Sequence, residues 1–124
     1  MPTPEETHTP AHLSEKNHLQ PAIRAWKIYL NDQGKSPHTV KAFIADLNLL
    51  DTYLTPETTL GEITLKDLQD FTNWLENERE VPCSPKSLSR RITSVKSFFR
   101  WLQHGGVLLV DPAEKLVQRT VTSP

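Results

Sequence analysis

Apolar residues recur at spacings of three and four through most of the chain, the period of an amphipathic helix. The first such stripe contains Ile23, Trp26 and Leu30, and it follows Pro21, a residue that suits a first helical turn. Gly34 comes just after the stripe, where glycine commonly ends a helix. This pattern predicts a first helix that starts near Pro21.

Two Ser-Pro pairs, at Ser36-Pro37 and Ser84-Pro85, mark two further helix starts. Serine is a favoured N-cap residue, and proline suits the first helical position. The stripe of the second helix comprises Val40, Phe43, Ile44, Leu47, Leu50 and Leu54. The stripe of the fourth helix comprises Leu88, Ile92, Val95, Phe99 and Leu102. Pro56 and Gly61 end the former, and Gly105-Gly106 ends the latter.

A third helix is predicted between these two. Thr64 is its N-cap, with Asp67 at the capping-box position, and its stripe is Leu68, Phe71 and Leu75. The short apolar run over residues 107–110 has no evident partner strand, and Asp111 is placed to cap a last turn running to about residue 116. The sequence therefore predicts an all-α bundle of four helices with a short fifth helical turn.

The two ends of the chain differ from this middle part. Residues 1–18 contain one large aliphatic side chain after Met1, Leu13, together with three prolines. Such a segment buries too little apolar surface to offset the entropy of ordering. With 124 residues, we expect one domain over 20–117, a flexible leader over 1–19, and a flexible tail or linker over 118–124.

Several function classes are disfavoured by composition. The sequence contains no apolar stretch of about 18 residues, no secretory signal pattern, and a single cysteine, Cys83. It contains no glycine-rich phosphate loop, no His-Glu-x-x-His and no Gly-x-Ser-x-Gly motif. The five histidines lack metal-ligand spacing. We therefore expect a cytoplasmic, monomeric chain with no metal, no cofactor and no membrane partner.

Charge is unevenly distributed although the net charge is −1. Residues 57–80 carry seven acidic and two basic residues, whereas residues 81–110 carry five basic residues and no acidic one. On a helical wheel, one side of the fourth helix collects Ser87, Arg90, Arg91, Ser94 and Ser97, and the solvent arc holds Lys86, Lys96 and Arg100. Cations interspersed with short hydroxyl donors suit a phosphate backbone. The alternative is an ordinary solvated basic face.

A second basic patch surrounds the start of the second helix, where unpaired N–H groups and the positive end of the helix dipole attract anions. Its members are Lys35, Ser36, His38, Thr39 and Lys41. Ordinary capping by Ser36 is compatible with phosphate binding beside it.

Three motifs then follow one another along the predicted helices. The first is Lys35-Ser-Pro-His-Thr-Val-Lys-Ala-Phe with Asp46-Leu47 behind it, the second is Ile63-Thr-Leu-Lys-Asp-Leu, and the third runs from Arg91 to Asp111-Pro-Ala. Together they resemble the N-terminal core-binding domain of tyrosine recombinases, which include phage integrases and Xer-type recombinases. The resemblance covers about residues 20–117. It departs at Phe43, where the family usually has tyrosine, and at Asp111, where it usually has asparagine.

The resemblance implies a SAM-like bundle that contacts double-stranded DNA through its second and fourth helices, for DNA integration or recombination. It points first to Ser36, His38, Thr39, Lys41, Ser87, Arg90, Arg91 and Ser94, and second to Lys35, Lys86, Lys96 and Ser97. No part of the chain matches the family's catalytic residues, so we expect this chain alone not to cut or join DNA. Recombinase protomers are expected partners of a full-length parent, which would be nucleoid-associated when bound to DNA. The alternative function is a helical protein–protein adaptor without DNA binding.

Overall fold

A computed structural model describes residues 13–78 and 84–117. This part of the chain folds as four α-helices without a β-strand, which confirms the predicted all-α bundle. The helices are α1 (Leu19–Asp32), α2 (Pro37–Tyr53), α3 (Leu65–Asn73) and α4 (Pro85–His104). A short 3-10 helix (Leu60–Glu62) precedes α3, and a π-helical turn (Trp74–Glu78) follows it.

The helix starts follow the capping chemistry that the sequence predicts. Ser36 Oγ accepts a hydrogen bond from the Thr39 backbone N–H at 3.1 Å, and Ser84 Oγ accepts one from the Ser87 N–H at 3.2 Å. Thr64 and Asp67 form the predicted capping box. These bonds satisfy backbone donors that the first turn of a helix otherwise leaves without partners.

The α4 helix is the most deeply packed element. Eight of its residues are buried, and they include Ser94, Phe98 and Trp101, which the predicted stripe omits. Phe98 is fully buried and meets Trp26 of α1 edge-on, with ring centroids 5.3 Å apart. The predicted apolar stripe of α4 is therefore too narrow, because α1 and α2 both pack on this helix.

The segment just before α1 also packs against the bundle. The Leu60 N–H donates to the Asn17 carbonyl and the Gly61 N–H to the Glu15 carbonyl, each at 2.8 Å, and Leu19 is buried. Packed structure thus begins before the predicted leader boundary at residue 19, because the 3-10 helix supplies backbone partners. Residues 1–12 and 118–124 of the predicted leader and tail lie outside the described residues.

The chain turns back over α4 after Gly106, which adopts a φ of 81°. Asp111 Oδ1 accepts a hydrogen bond from the Ala113 N–H at 2.8 Å. The predicted fifth element is present as hydrogen-bonded turns over residues 112–115 rather than as a helix. Val107 and Leu108 are buried there.

None of the helices in the described ranges is long and apolar enough to cross a membrane.

Candidate nucleic-acid interface

The two helices singled out by the sequence, α2 and α4, lie against each other and run in opposite senses. Near one end of the contact, Asp46 of α2 meets Arg90 and Ser94 of α4. Towards the other end, Phe43 of α2 and Arg100 of α4 line one groove. Rising numbers on α2 therefore meet falling numbers on α4. This packing brings the start of α2 close to the end of α4.

A buried carboxylate joins the two helices. Asp46 is 2% exposed, and its two oxygens accept from Arg90 Nη2 at 2.7 Å and Arg90 Nε at 3.2 Å. Ser94 Oγ–H donates to Asp46 Oδ2 at 2.7 Å, and Arg91 Nε lies 3.4 Å from Asp46 Oδ1. We call these four residues the Asp46 cluster. A buried carboxylate needs such partners, because an unpaired buried charge is strongly destabilising.

The Asp46 cluster changes the role of three predicted DNA-contacting residues. Ser94 is fully buried, and its hydroxyl is turned towards Asp46 instead of solvent, so its contact with DNA stays a prediction. Its side chain faces α2, where Asp46 accepts a hydrogen bond from the hydroxyl. The Arg91 side chain is 19% exposed and turned towards Asp46. The Arg90 side chain is 44% exposed.

Lys96 is also engaged within the protein. Its Nζ donates to the backbone carbonyls of Ala113, Glu114 and Leu116, at 3.0, 3.2 and 2.7 Å respectively. The sequence placed Lys96 on the solvent arc, but the chain after α4 folds back and covers it. Its ammonium group caps the carbonyls of the C-terminal turns.

The remaining α4 candidates differ in exposure. Lys86 lies exposed in the first turn, next to the half-buried Ser87. Ser97 is half-buried and lines a groove together with Lys35 and Arg100. Hence the structure leaves Lys86 and part of Arg90 accessible near the start of α4, and Arg100 near its end.

The predicted patch at the start of α2 is divided between two sides of that helix. Lys35, Ser36 and His38 are exposed at its N-terminus, where Ser36 Oγ–H also donates to Thr39 Oγ1 at 2.9 Å. Lys41 instead lines a groove with Lys27 of α1. Lys35 lines a different groove, which it shares with Phe43. Lys41 and Phe43 point to different sides of α2, because two positions along a helix correspond to a rotation of about 200°.

Sequence reasoning missed the structural role of Asp46, and it left Arg100, which it placed on the solvent arc, out of the candidate site. An acid beside the apolar stripe of α2, facing a helix with five bases, is the signal that could have indicated the buried ion pair. Arg100 follows Arg90 by ten residues, so helix geometry places it about 15 Å farther along α4. Within the described ranges, His, Cys, Asp and Glu form no group of three or more that could hold a metal ion.

Comparison with known proteins gives a consistent result. Residues 23–106 match the family model described as phage integrase, N-terminal SAM-like domain. The chain is 32% identical over 81 residues to the tyrosine recombinase XerD of Listeria innocua serovar 6a, covering 65% of this chain and 27% of that protein. It is 31% identical over 102 residues to the tyrosine recombinase XerC of Mycobacterium sp. strain JLS, covering 79% and 33%.

A further relative, the tyrosine recombinase XerC of Myxococcus xanthus, is 31% identical over 103 residues, covering 81% of this chain and 33% of that protein. The matched part of the chain thus spans about a quarter to a third of the length of these relatives. No solved structure matches the chain. The family model and these relatives agree with the helical architecture and the motif order, and the chain belongs to the N-terminal SAM-like domain family of tyrosine recombinases.

Proposed function

We propose that this domain binds double-stranded DNA, with the phosphate backbone lying across the exposed ends of α2 and α4. The observation that carries the proposal is the charge of α4. Its twenty residues include four arginines and lysines besides Lys96 and no carboxylate. The carboxylate that faces it from α2, Asp46, is buried and neutralised by arginine. A phosphate approaching α4 therefore meets cations without an exposed acid of that helix beside them.

The spacing of the accessible cations suits a duplex. Lys86 and Arg100 are fourteen residues apart on one helix, which corresponds to about 21 Å along its axis. Phosphates advance about 3.4 Å per nucleotide along one strand, so this length matches about six nucleotides. Lys35 and the positive end of the α2 dipole add an anion-attracting point at the start of α2.

The kind of contact predicts modest sequence selectivity. Lysine ammonium groups, exposed serine hydroxyls and a helix N-terminus bind phosphates, and phosphate contacts fix position without reading base identity. The guanidinium of Arg90 donates two hydrogen bonds to Asp46, so these donors are not available for the two-point contact that reads guanine. Direct base reading thus falls to other parts of a longer protein.

Within such a protein, the domain would serve DNA recombination or integration. The relatives are named tyrosine recombinases, and the matched part of this chain corresponds to a minor share of their length. In this proposal the domain binds DNA, and strand cutting and joining depend on residues outside the matched region. This role requires no cofactor in the domain and places the protein in the cytoplasm, on the nucleoid when bound. Other protomers of the full-length recombinase would be its protein partners.

The proposal is tested by fluorescence anisotropy with a labelled 20-base-pair duplex at several salt concentrations. Lys86→Gln and Lys35→Gln are each expected to weaken binding and to reduce the magnitude of the salt slope by about 0.9 per lost phosphate contact. Arg24→Gln is the matched control, because Arg24 is an exposed cation on α1. Equal effects of all three variants would contradict the proposed interface. Absence of salt-dependent binding would contradict DNA binding itself and favour the protein–protein adaptor.

A further inference from the structure

Four aromatic side chains from three helices line one groove near the end of α4. They are Trp26 and Tyr29 of α1, Phe43 of α2 and Trp101 of α4. The rings contact one another: Trp26 stacks on Phe43 with centroids 5.8 Å apart, and Tyr29 lies 5.5 Å from Trp101. The groove has a volume of about 270 Å³, which is enough for one apolar side chain with its backbone. We call it the aromatic groove.

Trp101 carries an unusual feature in this groove. Its side chain is buried to about nine-tenths, and its indole N–H has no hydrogen-bond partner among the described residues. Buried donors are almost always paired, and leaving one unpaired costs free energy. The rings that contact it belong to Tyr29 and Phe98, with centroids 5.5 and 6.3 Å away. An occupant that brings an acceptor oxygen would remove this deficit.

The rim of the aromatic groove is cationic. Lys35 and Arg100 line it together with the imidazole of His104, and no carboxylate lines it. Neither Lys35 nor Arg100 forms an ion pair within the described part of the chain. The rim therefore complements an anionic partner, while the aromatic rings complement an apolar one.

From this combination we infer that the aromatic groove binds an acidic peptide segment of a partner protein, with one apolar or aromatic anchor side chain flanked by carboxylates. The anchor would pack between the rings, the carboxylates would pair with Lys35 and Arg100, and an acceptor oxygen of the segment would take the Trp101 N–H. Tryptophan, tyrosine and arginine are the residues that most often dominate protein–protein binding energy.

A DNA duplex fits this groove less well. Its outer surface presents sugars and phosphates, which satisfy the cations but leave the aromatic rings without an apolar partner. Only an unpaired base could stack there. The peptide proposal shares Lys35 and Arg100 with the proposed DNA interface, but it does not rest on DNA binding, because the aromatic rings and the Trp101 N–H carry it. Lys86, which belongs to the DNA proposal alone, lies near the other end of α4.

The test uses tryptophan indole signals in ¹⁵N–¹H NMR spectra of the whole chain. The chain has three tryptophans, so Trp101→Phe assigns the Trp101 indole signal by its loss. The probe is the peptide acetyl-Glu-Asp-Phe-Glu-Asp-amide. We expect it to shift the Trp101 indole signal in a saturable manner. An otherwise identical peptide with alanine at the centre should bind at least about tenfold more weakly, since it lacks the buried anchor.

Matched variants separate groove binding from general charge attraction. Arg100→Gln should weaken binding of the phenylalanine peptide about two- to fivefold, as expected for loss of an exposed ion pair. Arg24→Gln should leave the peptide affinity unchanged. No shift of the Trp101 signal at millimolar peptide would overturn the proposal. So would equal shifts by the alanine peptide or by a version with lysines in place of the acids. A shift produced by the 20-base-pair duplex and not by the peptide would assign the groove to DNA instead.

The outcome is independent of the DNA proposal. Lys86→Gln, which lies outside the aromatic groove, should reduce duplex binding without changing peptide affinity. Failure of peptide binding with intact duplex binding would therefore reject the groove proposal alone.

Discussion

Arg90 holds the buried carboxylate of Asp46 through two hydrogen bonds, and this pair joins the two longest described helices. The geometry is the two-point contact that arginine makes with carboxylates. The pair holds α2 and α4 together, so it also fixes the distance between the cations of α2 and those of α4. That distance matters because both helices are proposed to face DNA. The main effect of the pair is on the shape of the candidate interface.

Replacing Asp46 tests this relationship directly. Asp46→Asn leaves the adjoining arginines without a counter-charge, and we expect the free energy of unfolding to fall by about 2–3 kcal/mol, below the usual range for a fully buried pair because Arg90 is partly exposed. Urea denaturation monitored by circular dichroism measures it. Asp32→Asn, at the exposed end of α1, is the control and should change stability by less than about 0.5 kcal/mol. Equal stability of the two variants would show that the pair does not join the helices.

Ser94 and Ser97 provide a matched pair on α4, because the first is fully buried against Asp46 and the second lines a surface groove. Ser94→Ala removes a hydrogen bond to a charged group and should cost about 1.5–3 kcal/mol of stability, whereas Ser97→Ala should cost little. The salt slope of duplex binding should be the same for Ser94→Ala and the unchanged protein. A reduced slope with normal stability would instead make Ser94 a phosphate contact.

Lys96 should behave as a structural lysine. Lys96→Met keeps the aliphatic stem and removes three hydrogen bonds to backbone carbonyls, so we expect a loss of about 1–3 kcal/mol of stability and faster amide hydrogen exchange over residues 113–117. Lys86→Met, at an exposed position of the same helix, should have the opposite profile, with normal stability and a smaller salt slope. If Lys96→Met reduced the salt slope of duplex binding without changing hydrogen exchange, Lys96 would act as a phosphate contact and not through the backbone carbonyls.

The capping box of the 3-10 helix predicts a pH dependence. The hydroxyl and the backbone N–H of Thr59 both donate to the Glu62 carboxylate, and these bonds lower its pKa. A carboxyl whose pKa is lower in the folded state stabilises the protein above the unfolded pKa, and that contribution disappears as the pH falls through the folded pKa. We expect stability to decline on acidification from about pH 5, and Glu62→Gln to show a weaker decline there. NMR titration of Glu62 checks the direction, and an unshifted or raised pKa would contradict it.

Helix positions and helix starts follow largely from local chemistry. Ser36, Ser84 and Thr64 cap the helices that the sequence predicts, because the cap bonds involve residues three positions apart. The helical spacing of apolar residues likewise predicts that Trp26 and Leu102 lie in the core. Such features depend on neighbours along the chain and are readable without knowledge of the fold.

The candidate site was predicted less completely. A helical wheel places Ser94 beside Arg90, but it does not show that α2 covers this side and buries the hydroxyl against Asp46. It also places Lys96 in solvent, although residues 113–116 return to cover it. Trp101 lies outside the predicted stripe but is buried, and its unpaired N–H depends on groups from three helices.

By itself, the sequence determined the helical architecture, the capping residues, the basic character of α4 and the family. These depend on local spacing, composition and motif order. Only the tertiary structure decided which cations face solvent, which of them pair with Asp46 or backbone carbonyls, and that an aromatic groove forms between α1, α2 and α4. The physical reason is that these properties arise from contacts between residues about 20 to 75 positions apart, whose relative placement no local pattern encodes.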